Sequence, residues 1–149
     1  MKITDLITDT LQQLLEEQGG TIQIQRNHLA NRLGCVPSQI NYVITSRFTK
    51  EQGYIVESRR GGGGFIKIVK LDHTKNELIF HIINSLGYAI DEATGRIIIE
   101  KLYIDGQISE SQARLMLACI VDDNYKGLAD IDKKTIRANL LKTMLLHTI

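Results

Sequence analysis

Apolar positions along this 149-residue chain follow two different periods, and the change from one to the other divides it. Over residues 3 to 18, Ile3, Leu6, Ile7, Leu11, Leu14 and Leu15 recur at helical spacing, and Gly19-Gly20 supplies a stop after the last turn. Thr21 to Gln25 alternates β-branched and polar residues, which predicts a short strand. Arg26 to Leu33 reads as a second helix ended by Gly34. Pro37, the single proline, stands where a helix tolerates one, at the first helical position, whose N–H has no partner in any case. The third helix is therefore predicted from Pro37 to about Arg47.

Gly53 then opens Tyr54 to Arg60, four glycines (Gly61, Gly62, Gly63, Gly64) follow, and Phe65 to Lys70 is again rich in β-branched residues. Two β-rich runs around glycines predict a hairpin, because glycine enters positive-φ connections without steric cost. From residue 71 onward strands give way to helical periods: Ile79, Ile82, Ile83 and Leu86; Ile97, Ile98, Lys101 and Leu102, closed by Gly106; Leu115, Met116, Cys119 and Ile120; and Ile136, Leu140, Leu141, Met144 and Leu145. Ser109 and Gln112 have capping-box spacing ahead of the third of these. The predicted architecture is an α+β N-terminal winged helix-turn-helix, residues 1–72, followed by an all-α four-helix domain, residues 73–149. The helix after the turn is then the recognition helix and the glycine hairpin is the wing.

A helical wheel of the third helix, at about 100° per residue, puts Ile40, Val43 and Ile44 on one face. Ser38, Gln39, Tyr42, Thr45 and Ser46 fall opposite, with Asn41 on the flank. That outer face is uncharged and dense in hydrogen-bonding groups. Gln and Asn can contact adenine through two bonds, hydroxyls serve either role, and Tyr can meet a thymine methyl. An ordinary exposed helix favours Glu, Lys and Ala instead.

Arg59 and Arg60 precede the glycines, so a bare glycine tip would let backbone approach phosphates while an arginine enters the minor groove. A phosphate-binding P-loop does not fit: no Gly-Lys-Ser/Thr follows, and these glycines lead into a strand. Arg26, Arg47 and Lys50 serve equally well as phosphate contacts or as partners of helix dipoles. Cys35 near His28 has no third group to orient a thiol nucleophile and is expected to be a small turn residue, and Cys119 is expected in the core. His73, His81 and His147 show no metal-ligand spacing, and Asp122, Asp123, Asp130 and Asp132 suit loops and caps. No catalytic centre, cofactor or metal is expected.

Charge sharpens this picture. The formal net charge is +1, yet residues 26 to 70 hold eight Lys/Arg against two acids, a surplus of six positive charges, flanked by acidic segments on both sides. The basic segment is the predicted helix-turn-helix and wing, as a polyanion-binding face requires. The longest uncharged apolar stretches fall well short of the roughly 18 residues of a membrane span. Two cysteines and an N-terminus without an apolar signal region fit a reducing cytoplasm.

The runs Cys35-Val-Pro-Ser-Gln-Ile-Asn-Tyr-Val-Ile44, Arg47-Phe48-Thr49 and Gly53-Tyr-Ile-Val-Glu-Ser, with the arginine and glycines up to Gly64, resemble the CtsR family, class-three stress gene repressors of low-G+C Gram-positive bacteria. The resemblance implies a cytoplasmic homodimer that represses heat-shock and Clp protease genes. It implies reading of tandem repeats in double-stranded promoter DNA through the recognition helix and wing, with the C-terminal helices forming the dimer. It also implies a wing (Gly61 to Gly64) that senses heat, and a protein arginine kinase that modifies wing arginines and directs the repressor to Clp proteolysis. By motif position the modified arginine corresponds to Arg60, while Arg59 stands where relatives can carry lysine. The alternative from another class is a dimeric protein-binding adaptor whose basic hairpin engages an acidic partner.

Two of these expectations have physical corollaries. Ordering four glycines costs about 4–8 kcal/mol of TΔS, which changes ΔG by only about 0.1–0.3 kcal/mol over about 10 K, so release on warming requires coupling to a larger cooperative change. Ile136, Leu140 and Met144 make a stripe suited to a shared dimer core, since four short helices have little material to cover their own apolar faces. A two-fold dimer prefers a palindrome, so reading direct repeats would require flexibility near residues 70 to 74.

Overall fold

The computed structural model describes residues 2–60, 64–74 and 76–149. It divides into two compact units, Met1–Lys75 and Asn76–Ile149. In the first, α1 (Ile3–Glu17), β1 (Thr21–Gln25), α2 (Arg26–Leu33) and α3 (Pro37–Arg47) are followed by a single 3₁₀ turn, then β2 (Tyr54–Arg59) and β3 (Phe65–Lys70). The sheet is antiparallel in the order β1-β3-β2. Its register sets Ile24 beside Ile66 and Ile22 beside Ile68, with Val56 on the far side of Ile68.

That register gathers the apolar residues of alternate positions on one face. Ile22, Ile24, Ile66 and Ile68 join Ile7, Leu11 and Leu15 of α1, Leu29 of α2, and Ile40, Val43 and Ile44 of α3 in one core, sealed by Phe48 edge-on to Tyr54. The predicted helix-turn-helix and wing are present at nearly the expected bounds. Gly34 ends α2 in the left-handed conformation at φ 70, which lets Cys35 N–H return to Ala30 O at 3.0 Å and turns the chain into α3 within three residues.

The second unit consists of α4 (Glu77–Ser85), α5 (Glu92–Ile104), α6 (Glu110–Ile120) and α7 (Asp130–Leu146), with a 3₁₀ turn between the last two. Asp91 caps α5 by accepting Thr94 N–H, and Ser109 with Gln112 forms the expected capping box on α6. The predicted stripes are partly corrected. On α5 the buried residues are Gly95, Ile99 and Leu102, while Ile97 is 65% exposed; on α6, Met116 and Ile120 are buried, Leu115 is exposed and Cys119 is only half-buried. Ile97-Ile98-Ile99 is apolar all round the helix, so only packing selects which member turns inward. The selection follows Gly95: a Cβ there would lie 2.8 Å from Ile120 Cδ1, so the bare backbone is what admits α6 so closely.

An unanticipated feature lies at the centre of this unit. Arg137 of α7 is 1% exposed. Its Nε donates to Ile120 O at 2.7 Å and its Nη1 to Ile90 O at 2.9 Å, Nη2 pairs with Asp122, and the guanidinium lies 5.3 Å from the Tyr125 ring centroid. One side chain thus satisfies a carbonyl at the C-terminus of α6 and another ahead of α5. Burial pushes the Tyr125 hydroxyl above its ordinary pKa, and that hydroxyl donates to Cys119 O at 2.7 Å.

Candidate nucleic-acid interface

Helix α3 divides as its wheel predicts. Ile40, Val43 and Ile44 are buried, whereas Ser38, Asn41, Tyr42, Thr45 and Ser46 are exposed, Tyr42 at 61%. The hydroxyls of Thr45 and Ser46 donate to Asn41 O and Tyr42 O, one turn back, which fixes their rotamers while leaving their oxygen lone pairs to solvent. Gln39 is different. Its side-chain oxygen accepts the Val36 N–H at 3.1 Å, so this residue, expected to read bases, serves the start of its own helix. Val36 has no side-chain acceptor for the first-turn N–H groups, and Gln39 makes only the return half of a capping box, satisfying the Val36 N–H, while its own N–H donates to Val36 O at 3.0 Å. The amide nitrogen of Gln39 remains the group with which it can reach a base.

The basic side chains around α3 sit in distinct environments. Arg47, at the end of the helix, donates to Asp5 Oδ1 at 3.0 Å and to Thr8 Oγ1 at 3.2 Å, joining α3 to α1. This contact holds the Asp5 carboxyl below its ordinary pKa. Arg47 therefore ties α3 to α1, a role that its position at a helix end left open. Arg26, the first residue of α2, reaches from the helix-turn-helix to the wing strand, where its Nη2 lies 3.4 Å from Ser58 Oγ; its Nε is buried without a hydrogen-bond partner. Ser58 was not anticipated from sequence, because only the sheet register, which sets Gln25 and Arg59 on either side of Phe65, brings residues 26 and 58 together.

In β2, Ser58 lies opposite Ile66 and Arg59 opposite Phe65. Successive strand residues face opposite sides of the sheet, so Arg59 shares the outer face with Glu57 and Lys67, and Ser58 shares the face that packs on the helices. Arg59 and Arg60 are both exposed. Gly64, at φ 68, starts the return strand. Gly61, Gly62 and Gly63 lie outside the described residues. Among the described residues no cluster of His, Cys, Asp or Glu is arranged to hold a metal. None of the helices described is long and apolar enough to cross a membrane.

In the second unit Ile136 is exposed and Leu140 and Met144 are half-buried, one turn apart along the flank of α7. Sequence reasoning missed a more exposed pair: Ile97 and Ile104, the latter 79% exposed, stand two turns apart on the outward side of α5.

These observations agree with comparison to known proteins. Residues 2–72 match the family model described as CtsR N-terminal HTH domain, and residues 74–146 match the CtsR C-terminal dimerization domain. The chain is 41% identical over 146 residues to the transcriptional regulator CtsR of Bacillus subtilis (strain 168) and 40% identical over 146 residues to that of Geobacillus stearothermophilus, in each case covering 96% of this chain and 94% of the relative. Its fold is similar to a solved structure described as the crystal structure of CtsR in complex with a 26bp DNA duplex, with a TM-score of 0.52, 37% identity, and coverage of 99% of this chain and 98% of that one. With both of its units matched and relatives aligned over nearly its whole length, the chain belongs to the CtsR family of transcriptional regulators.

Proposed function

We propose that this protein is a dimeric, sequence-specific DNA-binding repressor of heat-shock and Clp protease genes. The observation that carries this reading is α3: an uncharged, hydrogen-bonding face of Ser38, Asn41, Tyr42, Thr45 and Ser46, held outward by a buried Ile40-Val43-Ile44 face and by the Arg47–Asp5 contact. The solved relative bound to a DNA duplex supports the same role for this unit. In this reading Asn41 and Tyr42 meet base edges in the major groove, and Gln39 contributes through its free amide nitrogen. Arg26, Arg47, Arg59 and Arg60 supply phosphate or minor-groove contacts around the wing glycines, Gly61 to Gly64.

Dimerisation through the C-terminal unit brings two such modules together, and effective concentration then raises affinity for paired half-sites. Ile136, Leu140 and Met144 are the residues assigned to the shared core, and the remaining exposure of Ile136 supports that assignment. Release under heat stress follows from loosening of the wing coupled to a larger cooperative change. Phosphorylation of Arg60 by a protein arginine kinase would reverse a cation facing DNA and weaken the electrostatic term.

The test is a titration of the protein against its own promoter region and against scrambled DNA over a range of salt concentrations. Specific binding with a steep negative salt slope is expected, and Asn41→Ala should relax sequence preference while Arg60→Gln weakens all sequences alike. Weak binding that ignores sequence, or equal losses on every DNA for both variants, would refute the assignment.

A further inference from the structure

β1 is an edge strand, and its hydrogen-bonding direction follows from two contacts. Lys70 N–H donates to Gly20 O at 2.7 Å, so Gly20 and Lys70 form a hydrogen-bonded pair, and by the two-residue alternation of antiparallel ladders Ile22/Ile68 and Ile24/Ile66 are the next. On the other side of β3, Leu71 N–H donates to Gly53 O at 2.9 Å, which assigns Phe65, Lys67 and Val69 to β2 in the same way. Thr21 and Gln23 consequently direct their backbone N–H and C=O groups away from the sheet. Exposed edges are ordinarily guarded by charge, proline or a bulge. The β2 edge carries Glu57 and Arg59, whereas Thr-Ile-Gln-Ile-Gln of β1 has no charge and no proline, and its pairing with β3 runs without a bulge.

A groove of about 260 Å³ runs along this unguarded edge, between it and helices α1 and α2. Half-buried Leu14 provides apolar surface over the buried Leu29, Phe65, 39% exposed, closes one end, and His28 and Arg32 stand on the rim. No acidic side chain lines it. Arg32 forms no ion pair among the described residues. We propose that the free edge of β1 and this groove form a docking site for an extended, acidic segment of a partner protein, which adds to the sheet beyond β1. Backbone bonds to Thr21 and Gln23 supply the register, Leu14 and Phe65 take apolar side chains, and Arg32 with His28 selects negative charge. None of these residues belongs to the proposed DNA-contacting set, so occupancy of the edge and of DNA are separable.

The probe is an acetylated hexapeptide of alternating Glu and Val, titrated into the isotopically labelled full chain and followed by amide shifts and hydrogen exchange. Saturable binding is expected, with slowed exchange at Gln23 N–H and shifts confined to β1, α2 and the end of α1. The matching peptide with Lys in place of Glu should bind at least about tenfold more weakly, and Arg32→Glu should reverse that preference without altering promoter binding. Arg32 is exposed, so the variant should fold, and Gln23→Pro, an edge substitution that removes one free donor, gives an independent loss of peptide binding. The proposal is overturned by equal binding of the two peptides, or by an unchanged preference in Arg32→Glu. It is equally overturned if Gln23 is already protected in a concentration-dependent way without peptide, which would assign the edge to a second copy, or if promoter DNA protects Gln23, which would assign it to nucleic acid.

Discussion

Replacing Arg137 by methionine should destabilise the C-terminal unit by about 2–4 kcal/mol. Methionine keeps the apolar stem, so the loss isolates the guanidinium. Two carbonyls, Ile120 O and Ile90 O, lose donors at 2.7 and 2.9 Å in a site where the side chain is 1% exposed. Each buried acceptor left unsatisfied costs about 1–3 kcal/mol. Replacing a buried ion pair by apolar groups is often harmless when both partners go, but here the partners are backbone and cannot be removed. Asp122 is mostly solvent-exposed, so Asp122→Asn should cost less than about 1 kcal/mol. A unit of this size holds about 4–11 kcal/mol in all, so the methionine variant loses a large share of it. Urea unfolding of the full chain followed by far-ultraviolet circular dichroism measures both variants. A loss below about 1 kcal/mol for Arg137→Met, or an equal loss for Asp122→Asn, would show that the guanidinium is not the element holding α5 and α6 to α7.

Further outcomes can be checked on the same preparation. Gly95→Ala gains about 1 kcal/mol of helix propensity, but its Cβ meets Ile120 Cδ1 at 2.8 Å, and overpacking costs about 1–3 kcal/mol, so a net loss of about 1 kcal/mol is expected in thermal melts. Ser109→Ala should cost about 1 kcal/mol by removing the acceptor for Gln112 N–H, again read from melting. The Asp5 carboxyl is held below its ordinary value of 3.8 chiefly by the hydrogen bond from Arg47, and Asp91 by its bond from Thr94. Folding therefore favours their charged forms: the stabilisation is complete well above pH 3.8 and declines as pH falls through and below that value. Urea melts between pH 6 and about pH 3 should accordingly show a shallower acid loss in Asp5→Asn than in the parent, and an identical slope would remove the Arg47–Asp5 contact from the account.

How much of this could be read without tertiary structure depends on how far apart in sequence the cause lies. The bounds of α2 and α3 were legible because Gly34 and Pro37 act on their own backbone, and the reading face of α3 because Ile40, Val43 and Ile44 leave only one side free. The pairing of β2 with β3 followed from the glycine run between two β-rich segments, whereas the pairing of β1 with β3, about forty residues further on, did not. The roles of single polar groups did not. Gln39 could have been recognised as a partner of the Val36 N–H only by noticing that it stands three residues after the N-cap position ahead of Pro37. The sequence left Arg47 open between a phosphate contact and a helix-dipole partner, and nothing local showed that Asp5 and Thr8, some forty residues earlier, stand beside it.

The C-terminal unit shows the same division. Local periodicity determined that it has four helices, and Ser109 with Gln112 determined where one begins. Periodicity could not choose among Ile97, Ile98 and Ile99, because hydrophobicity alone is equal on all three and the choice rests on α6 approaching bare backbone at Gly95. Nor could it place Arg137 inside, although that residue precedes Leu141 and Leu145 at intervals of four on the buried stripe. A cation enters a core only where carbonyls from distant segments converge to receive it. Local pattern was enough to say which segments are helix, strand and turn, and that the positive charge collects on residues 26 to 70. Tertiary structure alone decided which polar groups are spent inside the protein and which remain free to meet a partner, because that depends on groups brought together from far along the chain.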